Sequence, residues 1–262
     1  FVSSITPEVL DTTGGQIVTI TGTNLGPSYA VDTPPTVALR YGNYSASNCT
    51  IARPYELVTC YSVAGVAVDH GITLQVGAHV FSGHAGLALR YAVPVLQSLS
   101  SAAAVGNSSE SRGGGAPTAG DAGALGSAGN PDVDLHGHGF GQDLRDFAAF
   151  YGPPGDELRY QAVGCTWLQQ DRAVRCRHSA GRGAQLRWRV RVGGQLSGVL
   201  KSAETHYAAP SITGLVWHGL SDGNITELDT RGNEPFEIRG DNFGPLVTDS
   251  AIRVTYGPAG TE

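Results

Sequence analysis

Short stretches of alternating apolar and polar residues recur along the whole chain. Residues 187–192 are a clear case, because three arginines alternate there with a tryptophan and two valines. A period of two places successive side chains on opposite faces of a β-strand. No stretch sustains the 3.6-residue apolar period of an amphipathic helix. The pattern predicts an all-β protein of short strands, and the 37 glycines and 14 prolines fit the many turns that it needs.

Internal repeats divide the chain. A motif that ends in glycine follows an alternating stretch three times, at 20–26, 135–141 and 238–244. Cys165 lies 116 residues after Cys49, and Tyr207 lies 116 residues after Tyr91. A shared offset of this kind indicates that one structural unit has been duplicated.

We therefore predict three units, which are called units one, two and three below and span 1–92, 93–208 and 209–262. Unit three would hold only the start of a unit. Unit two contains an extra segment, 100–130, that is almost entirely glycine, alanine and serine. It has too few bulky apolar residues to offset the entropy lost on ordering, so we expect a flexible insert.

The units carry the same motifs in the same order. Unit one has Gly-Gly at 14–15, Ile-Thr-Gly-Thr-Asn-Leu-Gly at 20–26, two cysteines and Leu-Gln-Val-Gly at 74–77. Unit two lacks the Gly-Gly pair but continues through its cysteines to Val-Arg-Val-Gly at 190–193. Unit three has Ile-Arg-Gly-Asp-Asn-Phe-Gly at 238–244. This order resembles the IPT/TIG family of immunoglobulin-like domains.

The resemblance implies tandem immunoglobulin-like β-sandwiches arranged as a rod, with the third one truncated. Extracellular members of the family are receptors and adhesion or scaffold proteins, such as plexins and fibrocystin-like proteins, whereas others bind DNA within Rel-type transcription factors. A sandwich fold does not choose between these functions. The junctions Tyr91-Ala-Val-Pro94 and Tyr207-Ala-Ala-Pro210 leave almost no linker, so we expect limited motion between units.

The cysteines favour the outside of the cell. In two sandwiches with equal spacing, the simplest pairing is Cys49 with Cys60 and Cys165 with Cys176. Such bridges persist in oxidising compartments. Four free buried thiols are the alternative, and the spacing does not match the short gaps of a zinc site.

Glycosylation sequons point to the same compartment. Eight asparagines and 40 serines or threonines in 262 residues would give about one Asn-x-Ser/Thr triplet by chance. The chain has four, at Asn43, Asn48, Asn107 and Asn224. Asn43 and Asn48 are close enough to compete sterically, and Asn48 precedes a cysteine.

Arginines of unit two are candidates for binding a partner. They are Arg175, Arg177, Arg187, Arg189 and Arg191. Guanidinium groups form bidentate bonds with acids, so these residues could bind an acidic glycan, an acidic protein, or the acidic unit three of a neighbouring copy. A solvated face balanced by nearby acids is the alternative interpretation.

Other chemistry is poorly supported. The net charge of −6 argues against nucleic acid, and no apolar run is long enough to cross a membrane, so membrane contact would need a region outside this chain. No nucleophile elbow or phosphate-binding loop is present, and we predict no enzyme, catalytic residue, metal or cofactor. His136 and His138 lack an evident third ligand, and Arg239-Gly-Asp241 falls at a strand end where an integrin could not engulf it.

These observations predict an extracellular module that recognises or adheres to a partner on a large cell-surface glycoprotein. The alternative is a structural role, as a spacer or as a packing subunit of an extracellular filament or coat. Self-association over a large interface would distinguish the second role from the first.

Overall fold

The computed structural model describes residues 1–27, 35–83, 87–101, 121–125, 132–217, 225, 228, 230–245 and 252–257. Most of these residues lie in short strands, and a single turn of 3₁₀ helix spans Leu144–Asp146. No helix among the described residues is long and apolar enough to cross a membrane. The predicted all-β, immunoglobulin-like fold is confirmed.

Unit one is a sandwich of two sheets. The first has the strand order β1-β3-β7-β6, and the second has the order β2-β10-β8-β4-β5, with β9 paired to β8. All pairs are antiparallel except β2 with β10. The strands are β1 (Val2–Thr6), β2 (Val9–Leu10), β3 (Ile17–Gly22), β4 (Val37–Tyr41), β5 (Tyr44–Ser45), β6 (Ser47–Arg53), β7 (Leu57–Tyr61), β8 (His70–Val76), β9 (His79–Ser82) and β10 (Ala88–Tyr91).

Unit two repeats this topology strand for strand. Its sheets have the orders β11-β13-β17-β16 and β12-β20-β18-β14-β15, with β19 paired to β18. The parallel pair is here β12 with β20. The strands are β11 (Val95–Ser101), β12 (Asp121–Leu125), β13 (Asp132–His138), β14 (Phe147–Gly152), β15 (Tyr160–Gln161), β16 (Val163–Gln169), β17 (Ala173–Arg177), β18 (Leu186–Val192), β19 (Gln195–Leu196) and β20 (Leu200–Tyr207).

The start of unit three is an antiparallel pair, β21 (Ser211–Trp217) with β22 (Phe236–Asp241). Several of its apolar side chains are exposed, including Ile212 at 62%. The first glycine of its motif, Gly240, approaches the neighbouring strand so closely that a methyl group there would collide with the Ser211 carbonyl. The equivalent glycines, Gly22 of unit one and Gly137 of unit two, stand as close to the carbonyls of Phe1 and Val95. This explains why every copy of the motif keeps glycine there.

The predicted insert of unit two contains part of the sheet framework. Ser100 and Ser101 end β11, and residues 121–125 form β12, which corresponds to the short β2 of unit one. Backbone pairing with β20 connects this strand to the second sheet of unit two. Residues 102–120 and 126–131 lie outside the described residues, so the prediction of a flexible segment is not tested there.

A pair of tyrosines holds each sandwich together in the same way. In unit one the Tyr91 hydroxyl donates to the Val63 carbonyl at 2.8 Å, and the Tyr41 hydroxyl accepts from the Val63 amide at 2.9 Å. In unit two Tyr207 and Tyr151 make the same two bonds to Ser179, at 2.7 and 2.9 Å. Burial raises the pKa of both Tyr91 and Tyr207, so these hydroxyls stay protonated as donors.

Candidate interaction surface

The five candidate arginines lie on opposite faces of unit two. Arg175 and Arg177 belong to β17, where they alternate with the buried Val174 and Cys176. The other three belong to β18, in the second sheet, where they alternate with residues of the same core. Both sets therefore point away from the core in opposite directions, and they cannot form one continuous basic surface.

The arginines of β18 have partners within their own sheet. Arg187 Nε donates to Glu204 Oε1 at 2.8 Å, and Arg189 donates to the Ser197 carbonyl from Nε at 3.0 Å and from Nη2 at 2.7 Å. Arg191 lies 4.7 Å above the centre of a phenylalanine ring, a cation–π arrangement. Of the three, only Arg191 is exposed.

On the other sheet, Arg175 forms a bidentate pair with Asp134, at 2.7 and 2.8 Å. This pair raises the pKa of Arg175. Arg177 is exposed and its guanidinium covers Gly164. Local pairing thus occupies much of the charge that the sequence offers to a partner, and the binding role of the five arginines stays a prediction.

Two disulfides link neighbouring strands. Cys49 is bonded to Cys60, between β6 and β7, and Cys165 is bonded to Cys176, between β16 and β17. Cys60 and Cys176 are fully buried. Closing a loop of this size is worth about 3 kcal/mol in the chain-entropy model. Bridges of this kind are typical of extracellular proteins.

Two sequons fall within the described residues. Asn43 is exposed in the tight turn between β4 and β5, and Asn48 is exposed in β6, beside the disulfide. Asn107 and Asn224 lie outside the described residues. Use of any sequon stays a prediction.

The His136 and His138 pair and the Arg239-Gly-Asp241 tripeptide gain no support as binding sites from the described residues. His136 Nε2 lies 3.0 Å from the Ser100 hydroxyl, and the part of the chain that the structure describes holds no group of three His, Cys, Asp or Glu placed to bind a metal. Arg239 lies within β22 and donates to Glu237 at 3.0 Å.

The sequence reasoning missed the most developed polar site, which lies where units one and two meet. Asp171 is 3% exposed and Thr12 is 2% exposed, and the Thr12 hydroxyl donates to Asp171 Oδ1 at 2.7 Å. The same oxygen accepts the Gly141 amide at 2.9 Å, and Oδ2 accepts the Gly139 amide at 3.4 Å. A buried carboxylate is retained at low cost only when it is hydrogen-bonded in this way.

An apolar contact lies beside this polar one. Val66 of unit one is 6% exposed and belongs to the core cluster of unit two. A methyl group at Gly193 would stand 2.7 Å from the Ala67 nitrogen, so only glycine allows this approach. Gln195 Nε2 completes the junction by donating to the Tyr91 carbonyl at 3.2 Å.

One signal for this site was present in the sequence. Asp171 is offset by 116 residues from Tyr55, and both residues have a φ of 64° in the turn between equivalent strands. Tyr55 is 56% exposed, whereas Asp171 is buried against the preceding unit. An acidic residue in place of an exposed tyrosine marks the turn that makes the contact.

Two depressions border the junction. A cleft of about 440 Å³ lies between Asp11 and Gln16 of unit one and His138 and Arg172 of unit two. The pKa of Asp11 is lowered, mainly because its carboxylate accepts the Thr13 amide and, to a smaller extent, because of Arg172. A second groove, of about 460 Å³, is lined by the turn that carries Asn43.

Comparisons with known proteins give a family match for residues 1–91 and a set of solved structures that are similar to most of the chain. A search of curated proteins gave no match. The plexin A4 full extracellular region is 16% identical, with 86% of this chain and 18% of that chain covered and a TM-score of 0.31. The Yersinia pseudotuberculosis adhesin InvE is 11% identical, with 80% and 58% covered and a TM-score of 0.42. The Prevotella bryantii surface glycan-binding protein PbSGBP-B is 12% identical, with 76% and 36% covered and a TM-score of 0.38.

The chain therefore spans about a fifth of the plexin structure that it matches. The family comparison is local and specific, because residues 1–91 match the family described as the IPT/TIG domain. Residues 1–91 of this chain therefore match the IPT/TIG domain family, and the two sheets described above give this segment an immunoglobulin-like fold.

Proposed function

We propose that the chain is a non-catalytic, extracellular recognition or adhesion array of a cell-surface glycoprotein. Its three units would span 1–92, 93–208 and 209–262, stacked end to end as a rod. N-glycans at Asn43, Asn48, Asn107 and Asn224 would cover parts of the surface. The partner would be a protein or an acidic glycan, and the two disulfides support an extracellular location.

The observation that carries this proposal is the junction between units one and two. A direct hydrogen bond between buried side chains, Thr12 and Asp171, and the insertion of Val66 into the core of unit two oppose bending. Recognition by an array gains from such preorganisation, because less conformational entropy is lost on binding. Within this proposal, Arg177 and Arg191 are the exposed candidates for contact with acidic groups.

The test is a binding measurement on the secreted chain, with its size in solution determined in parallel. Recognition predicts a monomer that binds cells or immobilised acidic glycan, with weaker binding at higher salt. Because Arg177 and Arg191 face in opposite directions, each is reversed in a separate variant, and the variant on the binding face should weaken the binding. Reversal at Arg40, which is exposed in β4 of unit one, is the matched control for a change in overall charge. A concentration-dependent oligomer without any binding in trans would support the structural role instead.

A further inference from the structure

The turn that carries the Asn43 sequon stands beside the contact that joins units one and two. Asn43 and its neighbours Gly42 and Tyr44 line one wall of the 460 Å³ groove, and Asp146 and Gly193 of unit two line it as well. A group attached to Asn43 therefore starts at the junction, not on a remote face.

The same turn packs against Val66, the unit-one side chain that inserts into the core of unit two. The Tyr44 hydroxyl accepts the Val66 amide at 3.1 Å and donates to the Val66 carbonyl at 3.3 Å. The His70 ring lies 3.0 Å from the same carbonyl, through Nε2, and stacks edge-on against Tyr44. A side chain at Gly42 would collide with His70, so the turn is packed directly on this group. Val66 lines the same groove, so a group that fills the groove would lie against both the turn and Val66.

The groove suits a saccharide. It contains a carboxylate from Asp146, an imidazole from His70 and the main chain at Gly193. The hydroxyl and acetamide groups of N-acetylglucosamine both donate and accept hydrogen bonds, so they can satisfy such a mixed set. Attachment at Asn43 makes every such contact intramolecular, which raises the effective concentration of the sugar at the groove.

We propose that the first N-acetylglucosamine residues of an N-glycan on Asn43 lie in this groove and bridge units one and two. The glycan then stabilises the junction by contacting the Asn43 turn of unit one and Asp146 and Gly193 of unit two at the same time. This inference rests on the proposed function, because it requires passage through a glycosylating secretory compartment.

Asn48 provides a control within the same unit. It is exposed in β6, an edge strand of the first sheet, and it lines neither of the two depressions at the junction. A glycan on Asn48 adds comparable mass and hydration, but it is attached outside both depressions at the junction. Its removal should leave the junction unchanged.

The experiment measures hydrogen exchange at the junction in the chain secreted from a eukaryotic cell. Peptide mapping first records occupancy at Asn43 and Asn48. Exchange is then compared for the wild type, N43Q, S45A and N48Q, in peptides covering 64–68 and 191–195. We expect several-fold faster exchange in both peptides for N43Q and S45A, and no change for N48Q. If neither sequon variant is secreted, enzymatic deglycosylation of the folded wild type gives the same comparison.

Two results would overturn the inference. The first is an unoccupied Asn43, and the second is an occupied Asn43 whose removal leaves exchange at 191–195 unchanged. Occupancy of Asn48 with either result would leave the proposed extracellular function standing, so the two proposals fail separately.

Discussion

Replacing Thr12 by valine tests the polar contact between the units with the least disturbance of shape. The substitution keeps the β-branched outline of the side chain and removes only the hydroxyl that donates to Asp171 Oδ1 at 2.7 Å. Both side chains are buried, so water cannot replace the lost donor without opening the junction. Asp171 would retain the amides of Gly141 and, at longer range, Gly139.

The size of the effect follows from the charge of the acceptor. A hydrogen bond to a charged group contributes about 1.5–3 kcal/mol, and the burial of both partners here argues for the middle of that range, about 2 kcal/mol. The free energy of unfolding of a small protein falls by about 1–3 kcal/mol per molar urea, so the urea midpoint should fall by about 1 M. This slope should stay unchanged, because the substitution does not alter the surface that is exposed on unfolding.

The assay is urea unfolding followed by tryptophan fluorescence, since Trp188 is fully buried in unit two. The matched control is Thr13→Val, because the Thr13 hydroxyl donates to Asp11 at 2.9 Å in an exposed position. We expect this control to cost less than about 0.5 kcal/mol. If Thr12→Val costs no more than Thr13→Val, the contact does not stabilise the junction and the reasoning is refuted.

Two further predictions concern the core of unit two and the close approach at the junction. Burial lowers the pKa of His178 from its ordinary value of 6.5, so the unfolded chain takes up a proton near that pH before the folded one does. The free energy of unfolding of unit two should therefore be highest above about pH 6.5 and fall as the pH drops below that value. His178→Ser places at this position the serine that unit one has at the equivalent position. This variant should show a smaller decrease in the free energy of unfolding between pH 7.5 and pH 5. An unchanged pH dependence of unfolding in the variant would show that His178 is not the group responsible. Gly193→Ala should cost about 1–3 kcal/mol through its collision with Ala67, whereas Gly194→Ala, which shares the positive φ but has open space, should cost less; equal losses in thermal unfolding would exclude the collision.

Much of the architecture could be predicted because it depends on local pattern. The two-residue period of 187–192 fixed which side chains of β18 are buried, and the structure buries Trp188, Val190 and Val192 as expected. The shared offset of 116 residues predicted the repetition that the two sandwiches display strand for strand. The glycine that ends each copy of the repeated motif has a positive φ, at Gly26, Gly141 and Gly244, which fits the glycine kept there in all three copies.

The remaining features depend on contacts between distant residues. Alternation tells which residues of one strand share a face, but it does not tell which of two sheets the strand joins, so it could not show that the arginines of β17 and those of β18 lie on opposite faces of unit two. The strand at 121–125 lies in a segment rich in glycine, alanine and serine, and it pairs with residues 204–207, a long-range contact that local pattern does not predict. The Thr12–Asp171 bond joins residues 159 positions apart, beyond the reach of any local pattern.

The most direct test of the central claim is whether units one and two move as one body in solution. Backbone ¹⁵N relaxation, measured for amides in β3 and β7 of unit one and in β17 and β18 of unit two, reports the rotational diffusion of each. The junction predicts that both sets fit a single anisotropic diffusion tensor. Two separate tensors, each with the faster tumbling of an isolated sandwich, would contradict the account.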